Sequence, residues 1–204
     1  MGLFIDQGQT CAAGTRVLVH RSRYNDVVNA LAGAASSMQV GDPFDANTQM
    51  GPLISAKHQA RVQAHIQAAI QDGARLVAGG EALPSKGYFV RPTIFADVDP
   101  GMRIARDEVF GPVGTIIPFD TDEQAIAMAN DTVYGLSASV WTQNINQAHT
   151  MASKLRVGAV AVNGWSPLDA RLPWGGRKDS GIGRDLSQVA LDGYLEEKVV
   201  TVVM

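Results

Sequence analysis

The residue in this chain best suited to chemistry is its single cysteine, Cys11, which lies in the segment 7–14. An exposed thiol can act as a nucleophile, whereas a lone cysteine is commonly a small apolar side chain inside a core. The neighbours of Cys11 are small, polar or glycine residues, which are typical of an exposed turn. The segment therefore favours a reactive thiol, with a buried, inert cysteine as the alternative.

Histidines are the next candidates, as partners of the thiol or as metal ligands. A protease-type dyad would pair Cys11 with His149, but a single histidine on a predicted helix is more commonly solvated or packed than catalytic. His58 and His65 lie seven residues apart on one predicted helix, too far apart for the i, i+4 arrangement that binds a metal. With one cysteine and no His–Glu cluster, we predict no metal site.

The glycine-rich segments do not complete a nucleotide-binding motif. The glycine pairs at 79–80 and 175–176 lack the Gly-Lys-Ser/Thr ending of a P-loop. The Gly-Ile-Gly-Arg at 181–184 begins like a dinucleotide fingerprint, but it does not complete GxGxxG or follow the first strand of a βαβ unit. We therefore expect no complete Rossmann unit in this sequence.

Composition limits the partners and the compartment. The chain has 204 residues, of which 46% are hydrophobic, and a formal net charge of −3. This charge gives no basic surface for nucleic acid, and no apolar run approaches the roughly 18 residues of a membrane span. A single cysteine cannot form an internal disulfide, which is typical of a reducing compartment. We expect a cytoplasmic protein that binds neither nucleic acid nor membrane.

Predicted helices and strands alternate along the chain. Helical apolar spacing and caps predict helices near 22–38, 55–71, 121–129, 144–155 and 186–194, and apolar β-branched runs predict strands near 15–20, 74–78, 113–119, 136–141 and 158–162. Residues 88–95 are expected to be extended, after a turn region at 79–87. This alternation predicts a layered α/β domain with a largely parallel sheet.

The last forty residues follow a different pattern. Residues 173–184 are glycine-dense and charged, which predicts a structured loop. Residues 198–203 form an apolar, β-branched run that predicts a terminal strand. That strand could pair with another chain as an assembly element or join the sheet of its own chain, and the sequence leaves both open.

Five blocks of the sequence together resemble the aldehyde dehydrogenase superfamily. The first, Phe-Ile-Asp-Gln-Gly-Gln-Thr-Cys-Ala-Ala-Gly-Thr-Arg at 4–16, is similar to the active-site cysteine signature, and the others lie in family order at 51–54, 108–113, 134–138 and 173–184. The resemblance covers essentially all 204 residues. It implies the layered αβα catalytic domain of that family at 1–184, followed by a helix and an oligomerisation strand at 185–204.

The resemblance also implies roles for particular residues. Cys11 would attack an aldehyde carbonyl, and its backbone N–H would help to hold the oxyanion. Glu108 would bind the ribose hydroxyls of the nicotinamide in NAD or NADP, and Phe110 would pack beside the nicotinamide. His58 and Arg61 stand where relatives place weaker cofactor contacts.

Three further residues stand where the family lines its substrate tunnel: Trp165, Leu168 and Trp174. Side chains in the core are the alternative for these positions. The implied substrate is a small-molecule aldehyde, and the implied assembly is a homo-oligomer formed through the C-terminal strand.

The sequence also departs from the family pattern. Asp6 replaces the usual Asn before Gln-Gly-Gln. The cofactor-binding domain, the glutamate general base, the oxyanion-hole asparagine and the assembly hairpin, all upstream of the cysteine in relatives, have no counterpart in this sequence. The chain thus resembles the catalytic portion of an NAD(P)-dependent aldehyde dehydrogenase, and we expect it to be inactive by itself. A coenzyme A-acylating relative and a non-catalytic fragment that acts only in binding or assembly are the alternatives.

Overall fold

The computed structural model describes residues 2–81, 83, 86–165 and 168–204. These residues form two compact units, Met1–Ala129 and Asn130–Met204. The family resemblance implies a different division, at residue 184, which does not depend on compactness. That division stays a prediction. Part of the predicted turn region at 79–87, namely residues 82, 84 and 85, lies outside the described residues.

The first unit contains a four-stranded mixed sheet. Its strands are β1 (Arg16–His20), β2 (Arg75–Ala78), β3 (Thr93–Ala96) and β4 (Val113–Phe119), in the order β1-β4-β3-β2. β4 pairs in parallel with both β1 and β3, whereas β2 is antiparallel to β3. The predicted α/β class is confirmed, but β2 departs from a parallel sheet. The described residues between β2 and β3 contain no crossover helix, which suits an antiparallel pair.

The predicted extended stretch at 88–95 becomes a regular strand only at its end. β3 starts at Thr93, directly after Pro92. Because proline has no N–H to donate to a strand ladder, regular pairing begins after it.

Side chains from the helices of the first unit pack into two hydrophobic clusters. The helices are α1 (Tyr24–Ser37), α2 (Ala56–Gln71), α3 (Arg103–Arg106) and α4 (Asp122–Asn130), of which the last ends at the unit boundary. One cluster contains Val28 of α1 together with Ile94, and the other contains Val62 of α2 together with Phe95. Because adjacent strand residues point to opposite faces, Ile94 and Phe95 contribute to different clusters. The αβα layering of the whole chain stays a prediction.

Helix α2 forms where the sequence predicts it. The Ser55 hydroxyl caps it by accepting a hydrogen bond from the N–H of His58 (3.2 Å). Val62, Ile66 and Ala69 recur at helical spacing and are almost completely buried. Full burial of a side chain such as Val62 or Ile66 contributes about 1.5–3 kcal/mol, so packing fixes this helix against the core.

The second unit contains a small parallel sheet. β5 (Ser137–Val140) pairs with β6 (Ala159–Val162), and α5 (Ile145–Lys154) connects them. The Asn144 side chain caps α5 by accepting from the backbone N–H groups of Asn146 and Gln147. The last helix, α6 (Ser187–Asp192), is shorter than predicted.

The C-terminal segment does not form the predicted strand. Residues 195–204 contain neither helix nor strand, and all of them are exposed. The alternative in which residues 198–203 join the sheet of their own chain is therefore wrong. A strand needs a neighbour for its backbone N–H and C=O groups, and no described strand of the second unit pairs with this segment. The assembly strand stays a prediction.

No helix in the described parts of the chain is long and apolar enough to cross a membrane.

Candidate active site

The cysteine lies in an exposed turn, as predicted, and the buried alternative is wrong. The turn closes around it through a hydrogen bond from the N–H of Ala13 to the carbonyl of Thr10 (3.0 Å). Just before it, Asp6 and Gln7 have left-handed backbones, with φ of 48° and 57°. Aspartate and asparagine tolerate this conformation better than most residues, so the Asp at position 6 suits its backbone.

Gly8 brings the cysteine turn against a distant part of the sequence. Its φ is +69°, and a Cβ at this position would overlap the carbonyl group of Gly111. Only glycine combines this backbone conformation with so close an approach. The contact joins the block around Cys11 to the block at 108–113, about a hundred residues later.

The 108–111 segment is anchored at its second residue. Val109 is buried in the core cluster that contains Val62, while Glu108 is exposed and Phe110 is half-buried. Phe110 has a φ of 56°, which is unusual for a bulky residue and costs about 1–3 kcal/mol, a cost that neighbouring contacts must offset.

Two side chains of α2 bind the backbone of this segment. His58 Nε2 lies 2.6 Å from the Phe110 carbonyl oxygen, and the Arg61 guanidinium donates to the Glu108 carbonyl at 2.7 Å. A carbonyl oxygen can only accept, so His58 Nε2 must carry the proton. The rings of His58 and Phe110 also meet edge to face, with centroids 6.4 Å apart.

The cysteine turn is also connected to the start of α2. The Gln9 side-chain oxygen accepts a hydrogen bond from the N–H of Ile54 at 3.0 Å, and the Gln9 amide donates to the Gln7 side chain at 3.2 Å. The blocks at 4–16 and 108–113 are therefore both bound near the start of α2, one by the residue just before the Ser55 cap and the other by the first turns of the helix.

One titratable group further along α2 is shifted from its ordinary value. Burial lowers the pKa of His65, and the carboxylate of Asp107 opposes this effect. Burial therefore favours the neutral imidazole at His65.

The predicted substrate-lining residues belong to the second unit. Trp165 and Leu168 are 37% and 65% exposed, and Trp174 is half-buried. Neither Trp165 nor Leu168 is buried in this chain, so the core alternative is wrong for these two residues. A role in lining a substrate tunnel stays a prediction for all three.

The loop that carries Trp174 is held by backbone contacts. Trp174 and Asp185 exchange two backbone hydrogen bonds, at 2.7 and 2.8 Å. The Arg184 guanidinium donates to the Gly176 carbonyl at 2.7 Å. A Cβ at Gly158 would overlap the Gly175 carbonyl oxygen, so β6 begins in close contact with this loop. The structured loop predicted at 173–184 is confirmed, except that Lys178–Ser180 form one turn of 3₁₀-helix.

No cluster of three or more His, Cys, Asp or Glu side chains that could hold a metal ion is found in residues 2–81, 83, 86–165 and 168–204.

Sequence reasoning missed the backbone contacts of His58 and Arg61. These residues and Val62 lie at positions i, i+3 and i+4 of a helix, so they share one face. That spacing could have identified a common surface, but it could not show that residues 108–111 lie against it.

The chain is similar in sequence to known proteins over nearly its whole length. Residues 1–200 match the profile described as the aldehyde dehydrogenase family. The chain is 42% identical to the mitochondrial benzaldehyde dehydrogenase of Antirrhinum majus and 41% identical to the betaine aldehyde dehydrogenase of Bacillus subtilis. These alignments cover 99% and 97% of the chain but 38% and 41% of the relatives, so the chain spans about two fifths of their length.

A solved structure gives the same result. The chain superposes on the NAD+ complex of aldehyde dehydrogenase from Bacillus cereus with a TM-score of 0.94 and 47% identity, over 96% of this chain and 40% of that one. Agreement in sequence and in fold over nearly the whole chain shows that it belongs to the aldehyde dehydrogenase family.

Proposed function

We propose that this chain carries the thiol-bearing part of an NAD(P)-dependent aldehyde dehydrogenase active site. The observation that carries the proposal is the contact between Gly8 and Gly111, which places the exposed cysteine turn beside the 108–111 segment. These two blocks are far apart in sequence, and the family resemblance assigns one to the aldehyde and the other to the cofactor.

The reaction at Cys11 would proceed through covalent catalysis. The Cys11 thiolate adds to the aldehyde carbonyl carbon to give a thiohemiacetal, with its oxyanion held in part by the Cys11 backbone N–H. Hydride loss from that carbon restores the C=O bond and leaves a thioester on Sγ. Water then adds to the thioester, the thiolate leaves, and a carboxylic acid is released. Sulfur suits both steps, because a thiolate is a strong nucleophile and also a good leaving group.

The residues of the 108–111 segment fit a nicotinamide cofactor. The Glu108 carboxylate is exposed and can accept hydrogen bonds from two ribose hydroxyls, while the half-buried Phe110 ring offers an apolar face. When bound, the cofactor supplies the hydride acceptor. The relative from Bacillus cereus was solved as an NAD+ complex, which supports NAD for this chain.

His58 and Arg61 would support the cofactor indirectly, because their side chains already bind the backbone of the segment. Trp165, Leu168 and Trp174 would line the path of the aldehyde. We also propose a cytoplasmic homo-oligomer assembled through residues 198–203, supported by the single cysteine and by the exposed apolar C-terminal segment.

An activated ester tests the reactivity of the thiol without a cofactor. With p-nitrophenyl acetate we expect a burst of p-nitrophenolate, stoichiometric with the chain, and an acetyl group on Cys11 detected by mass spectrometry. The matched variant Cys11→Ala should show neither. An acylation rate no faster than that of a free thiol such as N-acetylcysteine would contradict the proposal.

A second measurement tests whether the chain is sufficient by itself. We expect no aldehyde-dependent formation of NAD(P)H, followed at its absorbance band, by the 204-residue chain. Turnover that disappears in Cys11→Ala would overturn this expectation and would mean that the chain holds a complete cofactor site.

A further inference from the structure

The backbone of Phe110 has a strained conformation. Its φ of 56° is unfavourable for an aromatic residue, so neighbouring contacts must stabilise this conformation. Val109 fixes the residue before it by burial, and a Cβ at Gly111 would overlap the Val62 side chain, so the residue after it packs on α2. Neither contact acts on the Phe110 peptide itself.

His58 makes the contact that does act on this peptide. Its Nε2–H lies 2.6 Å from the Phe110 carbonyl oxygen, and its ring meets the Phe110 ring edge to face. The carbonyl of residue 110 belongs to the peptide plane that leads into Gly111, whose own carbonyl lies against Gly8. Gly111 therefore connects the peptide that His58 binds to the cysteine turn.

Arg61 holds the opposite end of the segment through the Glu108 carbonyl at 2.7 Å. This hydrogen bond goes to the backbone of Glu108, so Arg61 fixes the position of the Glu108 backbone, while the Glu108 side chain is exposed. His58 and Arg61 lie one turn apart on α2, and together they hold both ends of three consecutive residues.

We propose that His58 is a positioning residue for the reaction: its Nε2–H stabilises the left-handed backbone of Phe110 and thereby keeps the 108–111 segment in place against the cysteine turn. The proposal deepens the proposed function, on which its consequence for catalysis rests. The hydrogen bond from Nε2–H, and not the contact between the two rings, stabilises the Phe110 backbone.

Two substitutions separate the hydrogen bond from the ring contact. His58→Phe keeps an aromatic ring and removes the donor, whereas His58→Gln removes the ring and keeps an N–H donor at similar reach. We expect hydrogen–deuterium exchange of a peptide covering residues 108–113 to rise about fivefold in His58→Phe, as the loss of one neutral hydrogen bond implies. His58→Gln should stay close to the unsubstituted chain.

The reactivity of the Cys11 thiol is a second measurement on the same two variants. The rate of Cys11 acylation by p-nitrophenyl acetate should fall in His58→Phe and be restored in His58→Gln. The opposite order would show that the ring contact carries the effect and would overturn the proposal. Equal changes in both variants, or no change in either, would overturn it as well.

A measurement on the unsubstituted chain covers the case in which His58→Phe does not fold. Ring ¹⁵N chemical shifts, assigned by their loss in His58→Gln, should show the Nε2–H tautomer of His58. A neutral ring protonated at Nδ1 would overturn the proposal. The tautomer of His58 and the hydrogen–deuterium exchange of residues 108–113 do not depend on the thiol. An unreactive Cys11 would therefore overturn the proposed function, while these two measurements would still test whether His58 stabilises the segment.

Discussion

At the scale of single residues, the candidate site depends on backbone conformations that few residue types tolerate. Asp6, Gln7 and Gly8 are all left-handed, and Phe110 on the facing segment is left-handed as well. The contact at Gly8 allows no side chain, because a Cβ there would meet backbone atoms of Gly111. Backbone atoms at such a position cannot move aside as the end of a flexible side chain can.

Replacement of Gly8 by alanine tests this contact. Alanine in a left-handed conformation costs about 1–2 kcal/mol, and overpacking adds about 1–3 kcal/mol, so Gly8→Ala should lower the free energy of unfolding by about 3 kcal/mol. Urea denaturation measures this change. Acylation of Cys11 should also slow, since the turn must shift.

Gly14→Ala is the matched control for this prediction. Gly14 lies on the other side of Cys11, and a Cβ there would meet no atom within 4 Å. We expect its effect on stability to stay within about 0.5 kcal/mol. Equal effects of the two substitutions would show that Gly8 is no more constrained than Gly14.

At the scale of elements, local sequence patterns predicted the helices and strands whose formation depends on local interactions. The sequence predicts α2 from its Ser55 cap and buried stripe, and β4 has the predicted bounds. The candidate site was predictable at Cys11 and at the 108–113 block, because each has its own motif. Their contact through Gly8 was not, since it depends on tertiary packing between residues far apart in sequence. The terminal strand predicted at 198–203 does not form in the single chain for a related reason: a β-branched run forms a strand only beside a partner.

Tyr24, at the start of α1, connects this helix to the sheet by hydrogen bonds that sequence reasoning did not predict. Its hydroxyl donates to the Ile116 carbonyl (3.2 Å) and accepts from the N–H of Asp97 (2.6 Å). Tyr24→Phe removes both bonds, and we expect a loss of about 1–2 kcal/mol in the free energy of unfolding at neutral pH. Tyr194→Phe, at a side chain that is 88% exposed, is the control and should change little.

The same residue predicts a pH dependence. Burial raises the pKa of Tyr24 above its ordinary value. Folding therefore favours the neutral phenol, so this contribution to stability is complete below the unfolded pKa near 10 and is lost as the pH rises through the folded value. Urea denaturation from pH 8 upward, over the alkaline range, should show a steeper decline in the unsubstituted chain than in Tyr24→Phe. Parallel declines would contradict this assignment.

At the scale of the whole molecule, the exposed C-terminal segment is the feature that a single chain leaves unexplained. Val199, Val200, Val202 and Val203 are each at least 74% exposed, in a segment without backbone pairing. A contiguous apolar, β-branched segment with free backbone groups can add as a strand to the sheet of another copy. This property supports the proposed homo-oligomer.

Val200→Pro tests assembly through this segment. Proline removes a backbone N–H and cannot take a central place in a strand ladder, so the variant should shift toward the monomer in size-exclusion chromatography with light scattering. Val200→Thr is the matched control, because threonine keeps the β-branched shape and the N–H, and it should remain assembled. Neither substitution should change the free energy of unfolding of the monomer by more than about 0.5 kcal/mol, since Val200 is exposed. If the unsubstituted chain is itself a monomer at micromolar concentration, or if Val200→Pro assembles as well as Val200→Thr, the segment does not act as an assembly strand.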